Sequence, residues 1–258
     1  MLGKSPSWQD AGGACSGYLI EEGDTTVLLD CGNGVFGKLR ERVDYPDVDC
    51  VLVSHLHADH FLDLVPYSYA LTFAPRQQPV PVHRWPGTDD PARPRLVAPP
   101  NARAVFRRVV GAWGGEGLIE DAFELEEYAP GDEVSVGSIT ASFHPVPHFI
   151  DTFAVNVTCG GSKLTYSADT RPCQEIVDIA RDADLLIIEA TLPRPERSGD
   201  RGHLTPEEAG DHARRAAAKR VVVTHISDEL GEDWAREQAT RGFRGPVEVA
   251  REFATYEI

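Results

Sequence analysis

Three histidines and an aspartate fall within six residues of the stretch SHLHADH, at His55, His57, Asp59 and His60. They directly follow the apolar run DCVLV, which predicts a buried strand. In an extended chain alternate side chains point the same way, so His55, His57 and Asp59 share a side. Imidazole and carboxylate groups bind zinc and similar divalent ions, and four of them exceed what one mononuclear site usually takes from one segment. The spacing therefore predicts part of a site for two neighbouring metal ions.

Further ligand-type side chains occur at or next to later apolar strands. They are His148 in HPVPHFIDTFAV, Asp169 in LTYSADTRP and His225 in VVVTHIS. Loops at one edge of a layered α/β fold converge on a single cleft. These residues are therefore expected to complete the site that His55 begins.

The elements that must position these groups alternate along the chain. Strand-length apolar runs such as DLLIIEA and RVVVTHI alternate with helical stretches, which indicates an α/β layered sandwich with outer helices. The clearest helix is TPEEAGDHARRAAAK, where Thr205 is the N-cap, Pro206 the first helical residue and Glu208 the end of a capping box. A single domain over residues 1–258 is expected. Residues 75–122, with a proline-rich stretch and the break GGEG, are expected to form a loop-rich insertion at the cleft rim.

The composition argues against several classes of protein. The net charge of −16 disfavours binding to long nucleic acids, because a polyanion is repelled unless a local basic patch compensates. The five cysteines include no C-x-x-C pair, so disulfides and thiolate metal cages are not expected, and a cytoplasmic location is. The apolar runs are strand-length and the N-terminus lacks an apolar stretch, so neither a membrane span nor a signal peptide is expected.

Taken together, the motifs resemble the metallo-β-lactamase superfamily. The resemblance rests on H-x-H-x-D-H at 55–60, the aspartate in YSAD, the histidine in THIS and Asp30 in LLDCG. Within that superfamily, GHLTPEEAG followed by VVVTHIS is most similar to the ribonuclease Z branch and its phosphodiesterase relatives. The resemblance implies a four-layer αβ/βα sandwich of two mixed sheets with outer helices.

The resemblance also implies a role for each ligand-type residue. One metal would be held by His55, His57 and His148, a second by Asp59, His60 and His225, with Asp169 bridging both. Asp30 would orient a ligand histidine. His144 also lies in FHPVPHFID, but His148 precedes the strand FAVNV at the family's spacing and is therefore the expected ligand. His144 is expected to cap its strand or line the cleft. Zinc suits the histidine-rich set, and manganese or iron would also suit the carboxylates.

His203 lies two residues before the N-cap Thr205, where a helix N-terminus favours an anion. The pattern H-x-T-x-E-E-A resembles ribonuclease Z, in which this histidine assists phosphodiester cleavage. The expected mechanism is hydrolysis by metal-bound hydroxide, since two metals lower the pKa of a bridging water. Asp59 or Asp169 would orient the hydroxide, and His203 would help the leaving group depart.

Four functions fit these motifs. The first is a phosphodiesterase acting on a small nucleotide or cyclic nucleotide. The second is a tRNA 3′-end endonuclease, but ribonuclease Z enzymes carry a long tRNA-gripping arm where only about twenty residues separate His148 from Asp169 here. The third is hydrolysis of a lactone, thioester or carboxyl ester. The fourth is a non-catalytic metal-binding protein, which an open site with a helper histidine disfavours.

Several side chains are candidate substrate contacts. Ser16 in GACSGYL and the aromatic residues Trp85, Trp113 and Phe149 are expected to line the cleft, because loops carry specificity. The expected partner is a small phosphoester substrate. The short first strand leaves a sheet edge that a second copy of the chain could cover, which makes a homodimer an open alternative.

Overall fold

Two mixed β-sheets form the centre of the structure, a computed structural model that describes residues 1–258. The first sheet has five strands, β1 Tyr18–Glu22, β2 Thr25–Leu29, β3 Cys50–Leu52, β4 Arg95–Ala98 and β5 Glu124–Glu127. They lie in chain order, with β1 antiparallel to β2 and every other neighbouring pair parallel.

The second sheet has seven strands, in the order β12-β11-β10-β9-β8-β7-β6. Their bounds are β6 Glu133–Val136, β7 Ile139–Val146, β8 Thr152–Cys159, β9 Ser162–Tyr166, β10 Leu185–Glu189, β11 Val221–Thr224 and β12 Glu248–Val249. Strands β9 to β12 are parallel, whereas β6 to β9 form an antiparallel meander.

Helices cover the outer face of each sheet. The first sheet carries α1 Val35–Leu39, α2 Ala58–Phe61, α3 Leu64–Phe73, α4 Ala102–Gly111 and α5 Leu118–Ala122, and the second carries α6 Gln174–Ile179, α7 Pro206–Arg215 and α8 Glu232–Phe243. Short 3₁₀ turns occur at Tyr45–Asp47, Pro75–Gln77 and Asp228–Leu230. No helix combines the length and the apolar character that crossing a membrane requires.

Helix α7 begins at the predicted capping box. The Thr205 hydroxyl accepts a hydrogen bond from the Glu208 amide, and the Glu208 carboxylate accepts one from the Thr205 amide at 2.9 Å. Reciprocal bonds of this kind satisfy amide groups that the first helical turn leaves without partners. The cap thus fixes the position of the residues that immediately precede the helix.

Alternation along the strands divides the buried side chains among three cores. Leu28 and Val51 pack against the helices of the first sheet, while Leu29 and Leu52 pack against the second sheet. In the second sheet, Ile188 faces the outer helices. Since these strands are buried on both faces, they read as continuous apolar runs rather than as alternating patterns.

The direction of the strands brings the polar groups together. The parallel strands β2 and β3 end just before Asp30 and His55, and β9, β10 and β11 end at or just before Asp169, Glu189 and His225. Neighbouring parallel strands have their carboxyl ends at the same edge of a sheet. An isolated bridge between His55 and Thr152 joins this edge of one sheet to the other. The convergence expected for the site residues is therefore a consequence of topology.

The segment 75–122 lies elsewhere than expected. Helix α3 returns the chain from the carboxyl edge to the amino edge, so the loop of residues 75–94 that leads into β4 lies opposite the cleft. The remainder is not an insertion, because β4 is an interior strand and α4 and α5 contribute Phe106 and Ile119 to the core. Proline and glycine content marked the loops correctly but carried no information about which sheet edge they occupy.

Helices α7 and α8 approach each other through two glycines. A Cβ added at Gly210 would lie 2.1 Å from the Ala239 carbonyl oxygen, and one at Gly242 would lie 2.0 Å from the Glu207 carbonyl oxygen. Both contacts are with backbone atoms, which cannot rotate away. The two helices can pack this closely only because both positions lack a side chain.

We therefore expect Gly210→Ala to destabilise the protein by about 1–3 kcal/mol, because the helices must move apart. Thermal unfolding should record a melting temperature lower by roughly 2–4 °C per kcal/mol. The matched control is Gly37→Ala in α1, an exposed helical position where the new methyl group meets no atom within 4 Å. That variant should be neutral or more stable. Equal melting temperatures for Gly210→Ala and the wild type would contradict the proposed helix contact.

Candidate metal centre

One group of ligand-type atoms surrounds a point between the two sheets. It contains side chains of His55, His57, His148 and Asp169, whose potential ligand atoms all lie within 4.8 Å of one another. The Nδ1 atom of His57 is 3.2 Å from Nε2 of His55 and 3.1 Å from Nε2 of His148. An Asp169 carboxylate oxygen lies 3.7 Å from His55 Nε2 and 3.8 Å from His148 Nε2.

A second group shares Asp169 with the first. Its other members are Asp59, His60 and His225, and all four residues are buried. Oδ2 of Asp59 lies 3.4 Å from His60 Nε2 and 3.2 Å from His225 Nε2. Oδ2 of Asp169 lies 3.4 Å and 3.5 Å from the same two nitrogens. The structure thus brings together all seven residues expected as ligands, in the two sets that the family resemblance implies.

The geometry and the chemistry of these atoms fit divalent cations. Ligands about 2.0–2.1 Å from a tetrahedral ion are roughly 3.3 Å from one another, which matches the separations in both groups. Nε2 of His60 and Oδ1 of Asp169 are buried and have no hydrogen-bond partner. Buried polar atoms rarely lack partners, so these two atoms point to a missing ligand.

The pKa values of Asp169 and His60, which are neighbours in the cluster, are shifted in opposite directions. Burial opposes ionisation of Asp169, but the charges of His225 and His60 outweigh it and hold the pKa of this carboxyl group well below its usual range. Burial also opposes protonation of His60, yet Asp169, Asp30 and Asp59 raise its pKa well above the usual value. Three carboxylates around one imidazole thus favour a positive charge at this point, which an ion could supply.

Asp30 orients two of the histidines. It is fully buried, and one carboxylate oxygen accepts a 2.7 Å hydrogen bond from Nδ1 of His60. The Ser54 hydroxyl donates to the same carboxylate at 2.8 Å and lies 3.1 Å from Nδ1 of His55, which can donate to it. Both imidazoles therefore present Nε2 to the cluster. Tyr166 also donates to Asp30, at 3.1 Å.

Glu189, in the second sheet, orients two further histidines in the same way. It is fully buried and accepts a 3.0 Å hydrogen bond from Nδ1 of His203. The Thr191 hydroxyl donates to Glu189 at 2.8 Å and is 2.7 Å from Nδ1 of His225, which donates to it. Backbone amides of Thr170, Thr191 and Leu204 supply further bonds to the same carboxylate. Sequence reasoning missed Glu189, although a carboxylate that ends the apolar run DLLIIE was a usable signal.

Backbone conformation at three strand ends is unusual. Asp30, Ala168 and His225 have φ values of 58°, 49° and 56°, in the left-handed region that side chains disfavour. His225 is a member of the second group, Ala168 directly precedes Asp169, and Asp30 is hydrogen-bonded to His60. Strained residues of this kind persist where the surrounding structure holds them and are concentrated at functional sites.

Of the predicted cleft residues, Phe149 lies at the cluster. Its ring centroid is 4.9 Å from that of His148 and 6.1 Å from that of His203, and the side chain is exposed. His203 itself lies beside the ligand groups, with ring centroids 4.9 Å from His148 and 5.6 Å from His225. His144 instead lies within β7, where its Nε2 is 2.9 Å from the Ser142 hydroxyl.

The other expected contacts are not at the cluster. Trp85 packs against Arg76 in a groove beside the segment that enters β3, which is the amino edge of the sheet. Trp113 follows α4 and donates a hydrogen bond to the Tyr69 hydroxyl. Ser16 is fully buried, so its side chain does not line an open cleft. Trp85 therefore lies at the wrong edge of the sheet for a substrate contact, and the Ser16 side chain has no exposed surface with which to touch a substrate.

Comparisons with known proteins agree with this geometry. Rv1339, described as an uncharacterized protein of Mycobacterium tuberculosis, is 30% identical over 261 residues, covering 100% of this chain and 91% of that protein. The probable metallo-hydrolase YhfI of Bacillus subtilis is 27% identical over 257 residues, covering 100% of this chain and 98% of YhfI. A protein of Halorubrum lacusprofundi named ribonuclease Z is 31% identical over 268 residues, covering 88% of this chain and 86% of that protein.

The fold and a family model lead to the same conclusion. The crystal structure of YhfI, a metallo-beta-lactamase fold protein, superimposes with a TM-score of 0.84 at 25% identity, covering 99% of this chain and 97% of YhfI. The predicted fold class is thereby confirmed. The model described as "Beta-lactamase superfamily domain" matches residues 25–226. With its paired histidine and aspartate clusters, the chain belongs to the metallo-β-lactamase superfamily and is a metallo-hydrolase of that superfamily.

Proposed function

We propose that this hydrolase is a phosphodiesterase that acts on a small nucleotide or cyclic nucleotide. The observation that carries the proposal is the hydrogen-bonded pair of His203 and Glu189 beside the two ligand groups. In phosphodiester cleavage, negative charge develops on the leaving oxygen. A proton donor next to a cation site can neutralise that charge.

The residues of the two groups would hold two divalent ions, with zinc the best match to five histidines and two aspartates. His55, His57 and His148 would hold one ion, Asp59, His60 and His225 the other, and Asp169 would contact both. When bound, such ions polarise a phosphoryl oxygen and acidify a water molecule. Asp59 belongs to the second group and can also accept a proton from a water molecule there.

His203 is the residue proposed to protonate the leaving group. Burial alone would lower its pKa, but the hydrogen bond and charge of Glu189 outweigh burial and raise the pKa to about 9. The imidazole is then protonated near neutral pH, with Nδ1 bonded to Glu189 and Nε2 left to donate to substrate. Glu189 is a positioning residue that acts through His203.

The loops and the charge support a small substrate. Strands β8 and β9 are joined by a tight turn at Gly160 and Gly161, which leaves no arm that could grip a large RNA. The net charge of −16 also weakens contact with a polyanion. The relative named ribonuclease Z supports phosphodiester chemistry, and the two features above favour a small substrate over tRNA.

Activity on three substrate types tests the proposal. The metal-loaded enzyme should hydrolyse bis(p-nitrophenyl) phosphate and a 2′,3′- or 3′,5′-cyclic nucleotide. It should leave a tRNA precursor uncut at equal enzyme concentration and show little turnover of a lactone panel. Turnover of lactones alone would reject the phosphodiesterase, and efficient 3′-end cleavage of the tRNA precursor would reject the small-substrate assignment.

His148→Ala should lower bound metal from near two equivalents to near one and lower phosphodiester turnover at least 100-fold, because a ligand is lost. Metal content measured by mass spectrometry after gel filtration would check the first effect. His144→Ala is the matched control from the same segment, and it should retain both ions and full turnover. Metal loss in His144→Ala with none in His148→Ala would show that the ligand assignment is reversed.

His203→Ala should keep its metal and lose roughly 10²- to 10⁴-fold in kcat, the usual contribution of a positioned acid. His83→Ala, an exposed loop histidine, is the control and should match the wild type. Loss of metal from His203→Ala would instead make this residue a ligand.

Glu189→Gln should shift the alkaline limb of the kcat–pH profile to lower pH. The active form of His203 is protonated, and activity falls as pH rises through its pKa. Glu189 raises that pKa, so removing its charge lowers the pKa and moves the limb downward. An unchanged limb, measured with metal content intact, would count against the acid role of His203.

A further inference from the structure

Phe149 is a large apolar side chain that remains exposed at the cluster. Its side chain is 51% exposed, and it directly follows the proposed ligand His148. The neighbouring Ile150 is 39% exposed, which widens the apolar surface. An exposed aromatic ring in contact with two residues of a candidate active site points to a contact with substrate.

The Phe149 ring packs on the backbone of Gly202. A Cβ at Gly202 would lie 2.2, 2.5 and 2.8 Å from three carbons of the ring, so the ring packs directly on this glycine. The Gly202 carbonyl accepts a 2.8 Å hydrogen bond from Nδ1 of His148. The ring is therefore held on the loop that also orients His148, and its exposed area lies away from Gly202.

The other exposed aromatic residues are Trp8, Tyr69, Phe73, Trp85 and Trp113, and none of them contacts the ring of His148 or His203. Tyr69 and Phe73 lie 5.9 Å apart on α3, and Trp113 bonds to Tyr69, so these rings contact one another. Trp85 stacks on Arg76 at the opposite edge of the sheet. Phe149 alone among the exposed aromatics contacts both His148 and His203.

We propose that Phe149 is the residue that recognises the base of a nucleotide substrate, by stacking its exposed ring on the planar base while the phosphate lies between His203 and the two ligand groups. The inference rests on the proposed phosphodiesterase function and adds the specificity determinant. Stacking on an aromatic ring tolerates any base, since every base has a π-face. The enzyme is therefore expected to require a base but to discriminate little among bases.

A matched pair of ligands isolates the contribution of the base. Adenosine 5′-monophosphate and ribose 5-phosphate share the sugar and the phosphate, and only the first has a base. Isothermal titration calorimetry with zinc-loaded protein would measure both dissociation constants. Base stacking predicts that the wild type binds the nucleotide at least about fivefold more tightly.

Three variants connect that preference to the ring. Phe149→Leu keeps an apolar side chain but lacks the ring, and its preference should fall at least threefold. Phe149→Tyr retains the ring and should retain the preference. Phe73→Leu removes an aromatic ring on α3 that is even more exposed than Phe149, and it should change neither constant. Metal content should be the same in every variant.

The possible results separate the base contact of Phe149 from the proposed phosphodiesterase function. Equal affinities in the wild type, or an unchanged preference in Phe149→Leu, would overturn the base contact and leave the phosphodiesterase proposal in place. No binding of either ligand at millimolar concentration would overturn the phosphate site and the base contact with it. A preserved preference without turnover of any phosphodiester would reject the enzymatic function while retaining the contact.

Discussion

The orientation of the histidines by two buried carboxyl groups is the interaction on which the site depends. Asp30 at the end of β2 holds His60 directly and His55 through a serine hydroxyl, and Glu189 at the end of β10 repeats this arrangement. An imidazole free to rotate or to change tautomer would point the wrong nitrogen at the cluster. Each sheet thus contributes one carboxyl group that fixes two rings, and the two sets meet because the sheets pack face to face.

The same packing explains why charge can be concentrated in the interior. Asp59, Asp169, His60 and His225 are all buried and lie within a few ångströms of one another. Buried ionisable groups destabilise a fold unless they are paired or bind a metal. Left-handed residues at the strand ends add further strain. The three apolar cores, which hold the strands in place, must supply the stability that this arrangement requires.

Much of this organisation was predictable because it depends on local patterns. The apolar runs defined the buried strands, Thr205 and Glu208 marked the start of α7, and the spacing from His55 to His60 indicated the ligand cluster. A carboxylate at the end of the apolar run DLLIIE marks Glu189 as unusual, but its bonds to His203 and Thr191 are recognised only when the fold brings these residues together. The sheet edge at which Trp85 lies and the complete burial of Ser16 depend on the tertiary structure, which composition does not encode.

The division of the ligands between the two sheets has a consequence for the stability of the chain. His55 and His57 follow strands of the first sheet, and Asp169 and His225 follow strands of the second, so an ion held by both would act as a cross-link across more than a hundred intervening residues. Because such an ion would bind only when both sheets are folded and packed together, its binding free energy would add to the free energy of unfolding. Free metal at 100 times its dissociation constant would add about 2.7 kcal/mol to the free energy of unfolding. The availability of metal would then affect the fraction of the protein that is folded as well as its activity.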